Sequence, residues 1–226
     1  MRLHDFTEAE RDTPNAREIA ATLSRAGYKK LGSGADATVW AKDEDTVIKI
    51  LMPDSGGNAA VNAFMKFYEF SQQHQDLPCL PKFREIGGAH HAPFMIGDTA
   101  YTQIAMERLY PIPSGSFKEA MVWILSDLAT SRITWEQALA IISKESTWEG
   151  FPYPEKIEAV LRTIDQWDDR DRVEYELLFT VMQMLYATGR INKMGWDLHT
   201  ENVMQRKNGT LVIIDPWFSE DQATSL

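Results

Sequence analysis

A run of linker chemistry, Tyr110-Pro-Ile-Pro-Ser-Gly115, cuts this chain into two parts whose hydrophobic periods differ. That change restricts the fold more than any other feature. Before the linker, short β-rich runs lie at 28–32, 38–42 and 46–51, separated by Gly32-Ser-Gly34 and Asp43-Glu-Asp45. This is the pattern of a tight antiparallel meander. A polar, acidic arm of thirteen residues leads into a helix expected over 14–26, with Ile19, Leu23 and Ala26 on one face and Gly27 as its stop. A second helix is expected over 58–74, its apolar face formed by Val61, Phe64, Met65 and Tyr68. Strands near 83–86 and 101–108 follow, joined by a loop over 87–93. After the linker, apolar residues recur at helical spacing, and helices are expected over 116–130, 134–145, 154–167 and 170–189. Strands segregated from helices imply an α+β fold, with a β-rich lobe in 1–110 and a helical lobe in 111–226.

At 226 residues the chain can bury a substantial core as one large domain or two packed lobes. Its 23 basic and 33 acidic residues leave a net charge of -10, which argues against a nucleic-acid partner and an anionic membrane surface. No apolar run approaches the ~18 residues of a membrane span, and the N-terminus Met-Arg-Leu-His-Asp lacks a signal-peptide core. Cys79 is the single cysteine, so no intrachain disulfide forms. These features together predict a cytoplasmic protein. In Leu77-Pro-Cys-Leu-Pro81 the thiol reads as a buried turn residue, not a nucleophile. His90 and His91 read as a solvated turn, since no third histidine lies nearby. Met182 and Met184 read as core filler. Trp123, Trp135, Trp148 and Trp167 read as anchors of helix packing.

The chemistry concentrates near the C-terminus. Asp197 and Asn202 lie five apart, and Asp215 follows by thirteen at the end of a short apolar run that reads as a strand. Alone, such a triplet suits an Asx turn or a helix cap. It also supplies what phosphoryl transfer requires: a carboxylate that orients an attacking hydroxyl, and hard oxygens that hold magnesium against phosphates. Upstream, Gly32-Ser33-Gly34-Ala35-Asp36-Ala37-Thr38-Val39 joins two expected strands, and Val47-Ile48-Lys49-Ile50 follows at the next strand.

Taken in order, these motifs resemble the protein-kinase-like superfamily. The first is similar to the glycine-rich loop G-x-G-x-x-G-x-V, with Ala37 in the place of the third glycine and Gly32, Ser33 and Gly34 at its start. Lys49 resembles the strand lysine that grips the α- and β-phosphates, and Glu69 the helix glutamate that holds it. Met106-Glu107-Arg108-Leu109 resembles the hinge whose backbone bonds adenine, with Val39, Val47 and Met204 around the ring. The resemblance makes Asp197 the base, Asn202 and Asp215 the metal ligands, and ATP and Mg2+ the cofactors.

The chain resembles most the early serine/threonine protein kinases of short-tailed phages, over about residues 26–219. The shared features are the Ala26-Gly-Tyr-Lys entry, Asp54-Ser-Gly56, and Asp197-Leu-His-Thr-Glu-Asn-Val-Met204 followed by Asp215-Pro216. That likeness implies phosphorylation of Ser and Thr on host bacterial proteins, in the host cytoplasm, with no nucleic-acid or membrane partner. Two further readings stay open: a small-molecule phosphotransferase of the aminoglycoside or choline kinase kind, and a non-catalytic kinase-fold module that binds and inhibits a host protein.

The departures carry their own expectations. Trp196 precedes Asp197 where regulated protein kinases carry arginine, so control by activation-loop phosphorylation is not expected. Pro216-Trp217 follows Asp215 in place of Phe-Gly, which stiffens that corner. His199 replaces the usual lysine, as in aminoglycoside and choline kinases, and either touches the γ-phosphate or braces the loop. Asp36 puts an acid on the phosphate-binding loop. Eleven residues follow Asp215, so the acceptor platform is expected from 116–190, another copy or a partner.

Overall fold

Turn chemistry builds the first sheet. Helix α1 (Pro14–Arg25) ends as Gly27 turns through φ +84°, and the chain enters β1 (Lys29–Ser33), β2 (Ala37–Ala41) and β3 (Thr46–Leu51), paired antiparallel in sequence. The β2–β3 reversal is held by Asp43, whose Oδ1 accepts from the backbone N–H groups of Asp45 (2.9 Å) and Thr46 (2.7 Å). These bonds, that from Asp45 foremost, favour the carboxylate and hold the Asp43 carboxyl below its usual range. After α2 (Ala59–Gln73) come β4 (Phe83–Arg84), β5 (His91–Ile96) and β6 (Thr99–Glu107). The sheet order is β1-β2-β3-β6-β4, with β5 also paired to β6.

This computed structural model describes residues 14–34, 37–52, 59–89, 91–143 and 154–219. The N-terminal arm, Asp36, the Asp54-Ser-Gly56 lead, His90 and Trp148 lie outside the described residues.

The loop expected over 87–93 is mostly sheet. Gly87 and Gly88 (φ +60° and +85°) make a tight turn closed by the Ile86–Ala89 bridge, and His91 already belongs to β5. In β5 only Ile96 is buried, so the strand carries little hydrophobic signal, and Pro93 is tolerated because this strand lies on an edge.

Strand alternation gives the sheet two apolar faces. Trp40, Ile48 and Ile50 form a core with Ile19 and Leu23 of α1, together with Ile96 and Tyr101. The other face receives α2: the Tyr68 ring lies 4.7 Å from Phe83 and 6.2 Å from His91.

The helical part contains α3 (Phe117–Ala129), α4 (Trp135–Ile142), α5 (Pro154–Ile164) and α6 (Asp169–Ile191). Ser116, Thr134 and Asp168 cap α3, α4 and α6, each accepting a backbone N–H three residues on. Met121, Val122, Leu125, Val160, Leu178 and Met182 are wholly buried, while Met184 is half-buried. Trp135 lies 5.8 Å from Phe179, and Trp167 lies 4.9 Å from Tyr175. Trp123 is half-buried, with the Lys156 ammonium 4.8 Å from its ring centroid. Five short strands complete this part: β7 (Tyr110–Pro111), β8 (Met194–Trp196), β9 (Val203–Gln205), β10 (Leu211–Ile213) and β11 (Trp217–Ser219). They pair as β10-β9-β7 and β11-β8, so the expected linker at 110–115 begins as a strand.

The chain forms two compact units, one holding described residues 14–73 and 81–108, the other 74–80 and 109–219. The segment 74–80, read from sequence with the β-rich lobe, belongs to the second unit for a concrete reason. The carbonyl of Cys79 accepts from Ile213 N–H at 2.9 Å. The Arg206 guanidinium donates to the carbonyls of Leu80 (3.0 Å) and Pro78. No helix among the described residues is long and apolar enough to cross a membrane.

Candidate functional site

The sequence-predicted residues form two constellations, one in each unit. In the first unit Gly32, Ser33 and Gly34 are exposed at the end of β1, and Gly34 N–H closes the turn onto the Ala37 carbonyl at 2.9 Å. A side chain built on Gly32 or Gly34 would meet nothing within 4 Å, which leaves this backbone open to an approaching ligand. Ala37 is buried. Val39, Lys49 and Ile104 stand side by side across β2, β3 and β6, and Val47 lies two residues from Lys49, so all four share one face.

Lys49 is half-buried with its ammonium 3.6 Å from the Phe64 ring centroid, a cation–π placement on α2. Glu69 is exposed. Five residues at about 100° each put Glu69 roughly 140° around the helix from Phe64. The structure therefore seats Lys49 on a ring and leaves the candidate glutamate on another side of α2. In the hinge, Glu107 is pinned to Lys82 twice: its N–H donates to the Lys82 carbonyl (2.9 Å), and its carboxylate accepts from Lys82 N–H (2.8 Å). Leu109, in the second unit, is buried.

The second constellation is a loop between β8 and β9. Asp197 N–H donates to the Pro216 carbonyl (2.9 Å), and a 3-10 turn over Thr200–Asn202 brings Asn202 back toward Asp197. The Asn202 Nδ2 donates to the Asp197 carbonyl at 2.7 Å and reaches its Oδ2 at 3.4 Å. His199 caps the turn, its Nδ1 accepting from Glu201 N–H at 3.3 Å. Its Nε2 lies 3.2 Å from Asn202 Nδ2 and 3.9 Å from Asp197 Oδ1, and the ring's tautomer sets which of these contacts is a hydrogen bond. His199 thus braces the loop. Asn202 in turn fixes β10, its carbonyl accepting from Ile214 N–H at 2.9 Å, and Asp215 follows directly, half-buried. Met204 is half-buried on β9, opposite Val212.

About half of the Asp197 side chain is exposed. Partial burial pushes its carboxyl above the usual range; His199 opposes this, and the neighbouring charge of Asp215 adds to it. Asp197, His199, Asn202 and Asp215 therefore sit together and feel one another. Among the described residues no three His, Cys, Asp or Glu side chains cluster as a self-sufficient metal site. Magnesium needs fewer protein ligands, since it keeps waters and takes the rest from phosphates. Asn202 fits that use, because its amide nitrogen is committed to Asp197 and its Oδ1 is left as the available end.

Three details escaped the sequence reading. Ser126 of α3, wholly outside the motif, bonds to the backbone of this loop. Gly195 lies opposite Phe218, whose ring would come within 2.1 Å of any Cβ there. The Trp217 indole donates to the Leu185 carbonyl at 3.1 Å, tying β11 to α6. Only the glycine had a visible signal, as the one residue without a side chain in Met194-Gly-Trp196.

Compared by sequence, the chain matches no family model and no curated protein. Among solved structures it is similar to a microcompartment-associated aminopropanol kinase, with a TM-score of 0.41, 11% identity, and coverage of 87% of this chain and 68% of that one. It is similar to the amicoumacin kinase hAmiN in complex with AMP-PNP, Ca2+ and Ami, at 0.42 and 12%, covering 89% of this chain and 64% of that one. It is also similar to the streptomycin-ATP-APH(2")-IIa ternary complex, at 0.34 and 15%, covering 90% and 72%. The chain thus spans roughly two thirds of the length of these kinases and phosphotransferases, and its own architecture is α+β, antiparallel sheets with helices.

Proposed function

We propose that the chain catalyses Mg2+-dependent phosphoryl transfer from ATP to a hydroxyl, with serine and threonine of bacterial host proteins as acceptors. The observation that carries the reading is the Asp197–Asn202 pair. One short loop presents a carboxylate and an amide oxygen, cross-linked by the Asn202 Nδ2 bonds, with the Asp215 carboxylate close enough to perturb Asp197. In the reaction the acceptor oxygen bonds to the γ-phosphorus while the bond to the β–γ bridging oxygen breaks, and ADP leaves. Asp197 orients the hydroxyl and takes its proton. Asn202 Oδ1 and Asp215 would hold magnesium, which when bound neutralises charge on the phosphates. Lys49 is the cation for the α- and β-phosphates, and the exposed Gly32–Gly34 backbone the donor surface for them.

The single, buried cysteine suits a cytoplasmic location. One feature favours a second acceptor class: His199 in the lysine position, which the chain shares with small-molecule phosphotransferases.

The test is incubation with radiolabelled ATP and Mg2+, alone, with bacterial lysate, and with aminoalcohols or aminoglycosides. Label on protein bands, reduced roughly 10²–10⁴-fold in Asp197→Ala and lost in Asp215→Ala, is expected. Labelled small molecules without labelled protein would replace the acceptor class. ATP binding without transfer would leave a binding module, and absence of ATP binding would overturn the reading.

A further inference from the structure

We infer that Ser126 is a positioning residue for Asp197, a role that rests on the phosphoryl-transfer reading of that carboxylate. Serine inside a helix ordinarily turns its hydroxyl back onto the carbonyl one turn earlier. Ser126, 3% exposed in α3, does not. Its Oγ–H leaves the helix and donates to the Leu198 carbonyl, 72 residues on, at 2.8 Å. The same oxygen accepts from the Trp196 indole Nε1–H at 3.2 Å. One hydroxyl therefore holds the residue before Asp197 and the residue after it. The indole is itself seated edge-on against Tyr186, 5.6 Å between centroids.

Asp197 needs such support because its own side chain has little. Half of it is exposed, and among the described residues its carboxylate is held by two long contacts, Asn202 Nδ2 at 3.4 Å and His199 Nε2 at 3.9 Å. Its backbone N–H is held by Pro216 at 2.9 Å. With Ser126 gripping both neighbours, the peptide on either side is anchored to α3, a helix whose face is fully packed. Without the hydroxyl, a buried carbonyl and an indole N–H both lose their partner, and the loop shifts to find water. A displacement near 1 Å is enough to cost about 10²-fold in rate. The hydroxyl is buried and spent on these two bonds, so its loss should lower kcat and leave ATP binding alone.

The experiment uses the full chain with Ser126→Ala, Trp196→Phe and the double variant. Ser126→Ala is expected to lower kcat roughly tenfold to a hundredfold with KM for ATP within about twofold of wild type. Trp196→Phe keeps the Ser126–Leu198 bond and should cost less. The double variant should match Ser126→Ala within about twofold, since the indole bond is already lost there. The Trp196 indole N–H resonance, identified by its absence in Trp196→Phe, should shift and exchange faster in Ser126→Ala. Wild-type kcat with an unmoved indole resonance would overturn the inference, as would effects of the two substitutions that simply multiply. If wild type shows no transfer at all, the functional reading falls, and the indole resonance still decides whether the brace exists.

Discussion

Asp197 holds its charge against its surroundings. With its folded-state pKa raised, the native protein binds this proton more tightly than the unfolded chain does. Stability from this group is therefore present at low pH and is lost as pH rises through the folded value. Asp197→Asn is expected to raise the melting temperature at pH 7 while lowering transfer roughly 10²–10⁴-fold; a lowered melting temperature with an intact fold would contradict the assignment. Burial pushes the Cys79 thiol up to about 12, so it should resist alkylation at pH 8 in the native protein and react on unfolding, followed by mass spectrometry. Lys49 and Glu69 separate by the same kind of argument. Lys49→Ala should weaken ATP binding, measured by calorimetry, and Glu69→Ala should leave it within roughly threefold, since the glutamate lies about 140° around α2 from the ring that seats the lysine. The resemblance and its place at the edge of the apolar face of α2 singled out Glu69, but which part of that edge meets the sheet depends on packing that helical spacing alone does not encode.

Among the elements, the β8–β11 pair is the most constrained. Gly195→Ala would push a methyl into the Phe218 ring, and a cost of about 1–3 kcal/mol is expected by chemical denaturation. Phe218→Ala in the same chain should recover most of it. The long helices and the β1–β3 meander were legible because α3 and α6 carry full helical periods with capping residues, and Gly and Asp turns punctuate the three strands. β8, β9 and β11 were not: three residues are too few for alternation to register, and unlike β10 none of them is an all-aliphatic run. β5 was hidden by its half-exposed pattern and Pro93. The same limit explains Ser126: in FKEAMVWILSDLA it looks like an ordinary small residue, and only the fold shows its hydroxyl reaching Leu198. Asp197, Asn202 and Asp215 could be singled out as candidates because local spacing and a strand end mark them, and the fold does bring them together.

At the scale of the whole chain, the units divide at 108/109, beside the linker, and among the described residues only the segment 74–80 crosses from the first part of the sequence into the second unit. A fragment of 111–226 would lack 74–80, leaving Ile213 N–H and the Arg206 guanidinium without their carbonyl partners. It should be less stable than the same unit in the full chain, and the Ile213 amide should exchange faster with deuterium. A fragment as protected as the full chain would refute this. The arrangement also imposes a schedule on synthesis. Cys79 leaves the ribosome 134 residues ahead of Ile213, which at ~5–20 residues per second is roughly seven to thirty seconds. Until Arg206 and then β10 emerge, the Pro78–Leu80 carbonyls lack their native donors, so this corner of the second unit cannot close before residue 213 has been made.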